Sequence, residues 1–265
     1  MKSFVIFIAL LLAGNALAYN QDHRPFTPET QPRRISLAPL SDPIQLEGST
    51  SENPRLLFES TNGPVAKIQI VRDGQFLLLD MSVDGRSILS NVPFSPFEEF
   101  GGQLEVLTAD LNRDDQPDYV VRHWLGGCRL AGGYYNLGFL LSSGDSHELT
   151  VVAALWPDPD DIMLIDGKPS LLHTTFHEVE KCTDGKSHNF WVYNILAIDG
   201  GEIKVANERL PGFPKTVWYS FAPGHDETDL LTDEQKTDLH ADSLKQIFWA
   251  ASSQSPANKE KAQTP

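Results

Sequence analysis

The runs Ala66-Lys67-Ile68-Gln69-Ile70-Val71 and Phe76-Leu77-Leu78-Leu79, with Asp73-Gly74 between them and Asp84-Gly85 after them, carry the pattern that recurs along the chain. Both runs are strand-length and apolar. Asp-Gly between two such runs signals a hairpin, because glycine accepts the positive φ a tight turn needs. The same grammar continues through Leu104-Glu105-Val106-Leu107, Tyr119-Val120-Val121, Leu137-Gly138-Phe139-Leu140-Leu141 and Leu149-Thr150-Val151-Val152. It ends with Ile162-Met163-Leu164-Ile165, Leu171 to Phe176 and Phe190 to Leu196, punctuated by Ser143-Gly144-Asp145, Asp166-Gly167, Asp184-Gly185 and Asp199-Gly200-Gly201. Repeated strands with tight turns predict a mostly β domain of antiparallel hairpins, arranged as a sandwich or propeller-like, with one C-terminal helix.

That helix is marked by Thr232-Asp233-Glu234-Gln235, a capping box with Thr at the N-cap and Gln three residues on. Leu239, Leu244, Ile247, Phe248 and Ala251 supply an apolar stripe, which predicts a helix over 233–249. The single β domain then spans 54–252. Residues 19–53 are rich in Pro, Gln, Ser, Thr and charge and read as an extended, poorly ordered arm. Residues 253–265 read as a disordered polar tail.

Residues 1–18 read as a signal peptide. Lys2 precedes an apolar run from Phe4 to Ala13, and Ala16 and Ala18 occupy the −3 and −1 positions of a cleavage site. The run is too short for a membrane span, which takes roughly 20 residues. No later stretch is apolar enough to span, so the expected location is periplasmic or secreted. The net charge of −15 argues against nucleic acid and anionic membranes as partners and favours cations.

The two cysteines, Cys128 and Cys182, both follow the cleavage site. In an oxidising compartment they make one disulfide, worth ~4 kcal/mol in the chain-entropy model, or they remain two unrelated buried thiols.

The segment richest in chemistry is Asp110-Leu111-Asn112-Arg113-Asp114-Asp115-Gln116-Pro117-Asp118. Side-chain oxygens fall at positions 1, 3, 5 and 9, and the Gln116 carbonyl stands at position 7. A hard cation such as calcium takes about 6–8 oxygens, and this spacing lets one loop supply most of them. Position 12, a Glu in an EF-hand, is Val121, and the flanks read as strands. The competing reading is a solvated acidic turn.

These residues, with Pro117-Asp118-Tyr119-Val120-Val121, resemble the calcium loop of FG-GAP/VCBS repeats, which are β-propeller repeats. The resemblance covers about a dozen residues. It implies strand–loop–strand geometry and a structural calcium held by Asp110, Asn112, Asp114 and Asp118. Arg113 and Asp115 depart from it, standing where glycine is usual. Asp166-Gly167-Lys168-Pro169-Ser170 echoes Asp114 to Asp118, as a degenerate repeat or as an ordinary hairpin.

Other constellations are weaker. His173, Thr175 and His177 alternate and would share one strand face. With Glu178, Glu180 and His188 they suggest zinc, yet no His-Glu-x-x-His motif exists, and surface histidines are the plainer reading. Gly126 to Tyr135 is Gly-rich without a nucleotide-binding pattern, and its neighbours Trp124, Tyr134 and Tyr135 suit a binding surface or a core. Trp156 to Asp161 concentrates carboxylates, as a glycosidase needs or as a solvated loop provides. Pro211 to Ser220 reads as a packed closing segment or as a peptide or glycan platform. No residue is assigned a catalytic role. The expectation is an exported, calcium-stabilised β domain that binds a protein or glycan or serves in envelope architecture. The alternative is an exported hydrolase using acidic groups or a His173/His177 metal site.

Overall fold

In a computed structural model, residues 32–46, 55–60, 65–96, 102–125, 133–155, 161–210, 216–218 and 230–248 are described. Three short strands come first, β1 (Arg33–Arg34), β2 (Ala38–Pro39) and β3 (Ile44–Leu46). Three four-stranded meanders follow. The first is β4 (Arg55–Glu59), β5 (Ala66–Asp73), β6 (Phe76–Val83) and β7 (Arg86–Pro96). The second is β8 (Gly102–Ala109), β9 (Asp118–Trp124), β10 (Tyr134–Ser143) and β11 (Ser146–Leu155). The third is β12 (Ile162–Ile165), β13 (Lys168–Val179), β14 (His188–Asp199) and β15 (Glu202–Val205), with β16 (Thr216–Trp218) also pairing β14. All pairing is antiparallel.

The turns form for the expected reason. Asp84-Gly85 and Asp166-Gly167 both place two consecutive residues at positive φ (50° and 80°, 50° and 70°), the two-residue geometry that matches strand twist. Within each meander, alternation sends one set of side chains to each face. The second sheet therefore serves two cores. Leu104, Val106, Tyr119, Val121 and Leu140 pack against Ile68, Ile70, Leu79 and Phe94 of the first sheet. Leu137, Phe139, Leu141 and Val152 pack against Leu171, Leu196 and Ile198 of the third. The sheets thus stack as three layers with the second in the middle. A strand buried on both faces reads as a continuous apolar run, and residues 136–142 of β10 are all buried.

Part of the segment expected as a poorly ordered arm is paired. β1 adds to β12, while β2 and β3 add to β8. These strands cover the edges of the third and second sheets, which otherwise expose unpaired backbone groups. Sparse apolar residues do the anchoring: Leu40, Ile44 and Leu46 join the first core, Ile35 and Leu37 the second. The predicted arm residues 19–31 and 47–53 lie outside the described residues, as do the signal peptide, the tail and the segments 126–132 and 156–160.

The helix α1 (Asp233–Lys245) has the expected capping box: Gln235 N–H donates to Thr232 Oγ1, and the Thr232 N–H donates to Gln235 Oε1. It ends four residues before the predicted boundary. After Gln246 the chain leaves helical geometry so that Ile247 enters the second core and Phe248 bridges Val152 on the free edge of β11. Ala153 N–H donates to the Ile247 carbonyl at 2.9 Å. Pairing with a sheet edge outcompetes one more helical turn.

Candidate cation loop and buried polar clusters

The Asp110–Asp118 segment is the β8–β9 connection, set between strands as expected. Its backbone wraps tightly because Arg113 (φ 64°) and Asp115 (φ 63°) both adopt the left-handed conformation. These are the two positions where the resemblance puts glycine. Asp110 accepts from Asp114 N–H at 3.1 Å and Asp115 N–H at 3.2 Å. Asn112 Oδ1 accepts from Asp114 N–H at 3.2 Å, and Asp114 accepts from Gln116 N–H at 2.9 Å. Asp110, Asp114, Asp115 and Gln116 are exposed, whereas Asp118 is fully buried.

Asp118 holds the loop down. Its Oδ2 accepts from the backbone N–H groups of Leu111 (2.6 Å) and Asn112 (3.0 Å). Its Oδ1 accepts from the Ser142 N–H at 2.6 Å and stands 2.9 Å from Ser142 Oγ. Burial pushes the Asp118 carboxyl above the usual carboxylate range, and the hydrogen bonds from Ser142, Asn112 and Leu111 oppose that shift.

Ser142 Oγ also lies 2.8 Å from Asp114 Oδ2 and 3.0 Å from Asp114 Oδ1. A hydroxyl has one proton to give, so it serves Asp114 or Asp118 and leaves the other carboxylate facing lone pairs. Asn112 Nδ2–H donates to the Ser142 carbonyl at 2.7 Å. Arg113 Nη1–H donates to the Gly167 carbonyl at 2.9 Å, so this loop touches the β12–β13 turn. The echoing segments at Asp114 and Asp166 therefore occupy the same first connection of successive meanders. The second copy is a two-residue hairpin with no carboxylate ring. Among the described residues, no group of three or more His, Cys, Asp or Glu side chains is placed to hold a metal ion. The amide oxygen of Asn112 in the loop and the hydroxyl oxygen of Ser142 on β10 are additional oxygens beside these carboxylates.

The histidines lie elsewhere. His173, Thr175 and His177 share the β13 face that looks toward β11 and α1, as alternation requires. His173 is fully buried, its Nε2–H donating to the Ala153 carbonyl at 2.7 Å, and its Nδ1 has no partner among the described residues. Burial holds its pKa down to about 4. His177 Nε2 meets Thr175 Oγ1 at 2.9 Å, and His188 pairs with Asp184 at 2.9 Å. The three rings thus go to three different partners. Asn194, opposite His173 on β14, donates to Ser243 Oγ at 2.7 Å and accepts from Asn207 at 3.1 Å, stitching α1 to the sheet. Among the described residues Cys182 has no disulfide partner; it is buried beside Phe190, Val192 and Leu239, its Sγ 3.7 Å from the Val179 carbonyl oxygen. Cys128, its expected partner, lies outside the described residues. So do Pro157 to Asp160 of the acidic segment and most of 211–220.

One cluster escaped the sequence reading. Ser95 Oγ, on β7, sits 2.6 Å from His123 Nδ1 on β9 and accepts from Asn136 Nδ2–H on β10 at 2.8 Å. All three are buried, and burial lowers His123 to about 4. Ser95 has no exposed surface, so the trio reads as a polar pin between the first and second sheets. Its members are 28 and 41 residues from Ser95 in sequence, and no short motif signals them. No protein-family model, no curated protein and no solved structure matches this chain.

Proposed function

We propose that this chain is an exported β domain stabilised by one structural calcium at the Asp110–Asp118 loop, with a binding or architectural role and no catalytic one. The observation that carries the reading is the proton deficit at Ser142, where one hydroxyl stands against the carboxylates of Asp114 and Asp118. A divalent cation would neutralise that excess; among the described residues no three carboxylates surround a common point as they stand, so the ion would have to draw Asp110, Asn112, Asp114, the Gln116 carbonyl and Asp118 together as its oxygen donors. The local resemblance to FG-GAP/VCBS loops supports the same assignment. So does the succession of four-stranded meanders, the strand plan of a propeller blade. Export rests on the reading of residues 1–18, and the Cys128–Cys182 disulfide belongs to the same proposal.

The test is a thermal melt of the chain from Tyr19 onward, with calcium and with EGTA, repeated on Asp114→Ala. At a hundred times its Kd, calcium adds about 2.7 kcal/mol. For a chain of this size that raises Tm by roughly 5–10 °C. The rise should vanish in Asp114→Ala. Identical melts of the unsubstituted chain in calcium and EGTA would reduce the loop to an acidic turn.

A further inference from the structure

The β6–β7, β8–β9 and β10–β11 connections meet at one end of the stack. There, a cleft of about 420 Å³ opens between the first and second sheets. That volume falls within the roughly 300–1,000 Å³ of small-molecule sites. One wall is the β6–β7 hairpin, with Val83, Asp84, Arg86 and Ile88. The other is formed by Gln116 and Pro117 of the cation loop and by Gly144, Asp145 and His147 around the β10–β11 turn. Buried Tyr119 and Ser142 line its depth.

The walls are held in place before any ligand arrives. Asp84 Oδ1 accepts from the Val65 N–H at 2.9 Å. His147 Nε2–H donates to the Pro117 carbonyl at 3.1 Å, and its ring lies 5.9 Å from that of Tyr119. Such preorganisation lowers the ordering cost of binding.

The lining selects a class of ligand. A simple cation entering the cleft meets Arg86, and a simple anion meets Asp84 and Asp145. Acceptors (Asp84, Asp145), a donor (Arg86) and a side chain with both capacities (Gln116) instead suit hydroxyls, each of which gives one hydrogen bond and accepts others. Val83, Ile88 and Pro117 offer apolar surface to the C–H face of a ring. We propose that this cleft binds a neutral mono- or disaccharide. The proposal gives the binding role above its ligand class and rests on that reading. Because Gln116 belongs to both sites, the cation loop forms part of one wall of the cleft.

The test is an NMR titration of ¹⁵N-labelled chain from Tyr19 onward, in calcium, with cellobiose, maltose or diacetylchitobiose up to tens of millimolar. At least one sugar should give saturable shifts at the amides of Arg86, Gln116, Gly144 and Asp145. Arg86→Ala, at the exposed start of β7, and Asp145→Ala, on the exposed β10–β11 turn, should each weaken binding about tenfold or more. Silence with all three sugars overturns the proposal, as do shifts indifferent to both variants. Saturation by glycylglycine or spermidine in place of the sugars also overturns it. The calcium melt is run without sugar. A silent titration beside an intact calcium response therefore strikes the cleft alone, and a lost calcium response beside sugar binding strikes the loop alone.

Discussion

His123 and His173 carry the sharpest consequence at the scale of single residues. Each is held at about 4 by burial, against an ordinary value near 6.5. The unfolded chain therefore takes up these protons first as pH falls. The stability each contributes is complete above about pH 6.5 and is lost as pH drops toward 4, to the extent of about 3 kcal/mol per histidine. Burial lowers His177 in the same direction. Urea unfolding at pH 7 and pH 4.5 should show a loss of several kcal/mol. His173→Gln keeps a donor for the Ala153 carbonyl and removes one titration, so it should flatten the profile by roughly half. A pH-independent midpoint over that range would contradict the burial of both rings. Single residues also show how much of the loop was legible. The alternating oxygens were readable from spacing; that Arg113 and Asp115 stand where glycine is usual came from the resemblance, and the structure puts both at positive φ. The role of Ser142 was not readable, because a serine 24 residues beyond Asp118 enters the loop only through sheet pairing.

Among the elements, α1 depends most on its ends. Leu239 and Ser243 are its buried residues, so its apolar stripe is narrow. Its N-terminus is fixed by the capping box and by Gln235 Nε2–H donating to the Lys181 carbonyl at 2.7 Å. Thr232→Ala should cost about 1 kcal/mol and Thr232→Ser much less. Hydrogen exchange at Gln235 should accelerate in the alanine variant and stay near normal in the serine one. Unchanged exchange in Thr232→Ala would show that packing alone fixes the helix start. The capping box was visible in four consecutive residues because it is local chemistry. The helix end was not, because Ile247 and Phe248 suit a helical stripe as well as a strand edge. What separates these outcomes is the unpaired edge of β11, more than ninety residues earlier. The paired strands in 33–46 were hidden in the same way: their pairing partners, not their composition, order them.

Across the whole molecule, the middle sheet couples two cores. Phe139 faces the third sheet and Phe94 meets the opposite face of the second. Adding a Cβ to Gly138, between them, would bring it within 3.3 Å of Leu149 and 3.5 Å of Phe94, so the layers approach closely there. Phe139→Ala should cost about 3–5 kcal/mol. Because the second sheet belongs to both cores, the loss should lower Tm in a single transition rather than split it. A separate early transition in calorimetry would show that the third sheet unfolds independently.

The class of the fold was legible along the chain, because periodicity, Asp-Gly turns and a capping box act between neighbours. The oxygen-rich Asp110–Asp118 loop was legible too, because its side-chain oxygens lie within nine residues of one another. The three-layer stacking, the docking of residues 33–46, the Ser95–His123–Asn136 pin and the cleft beside the Asp110–Asp118 loop arise in the folded chain alone. Each of these joins residues that are distant in sequence, and their approach is set by which sheet faces bury against each other.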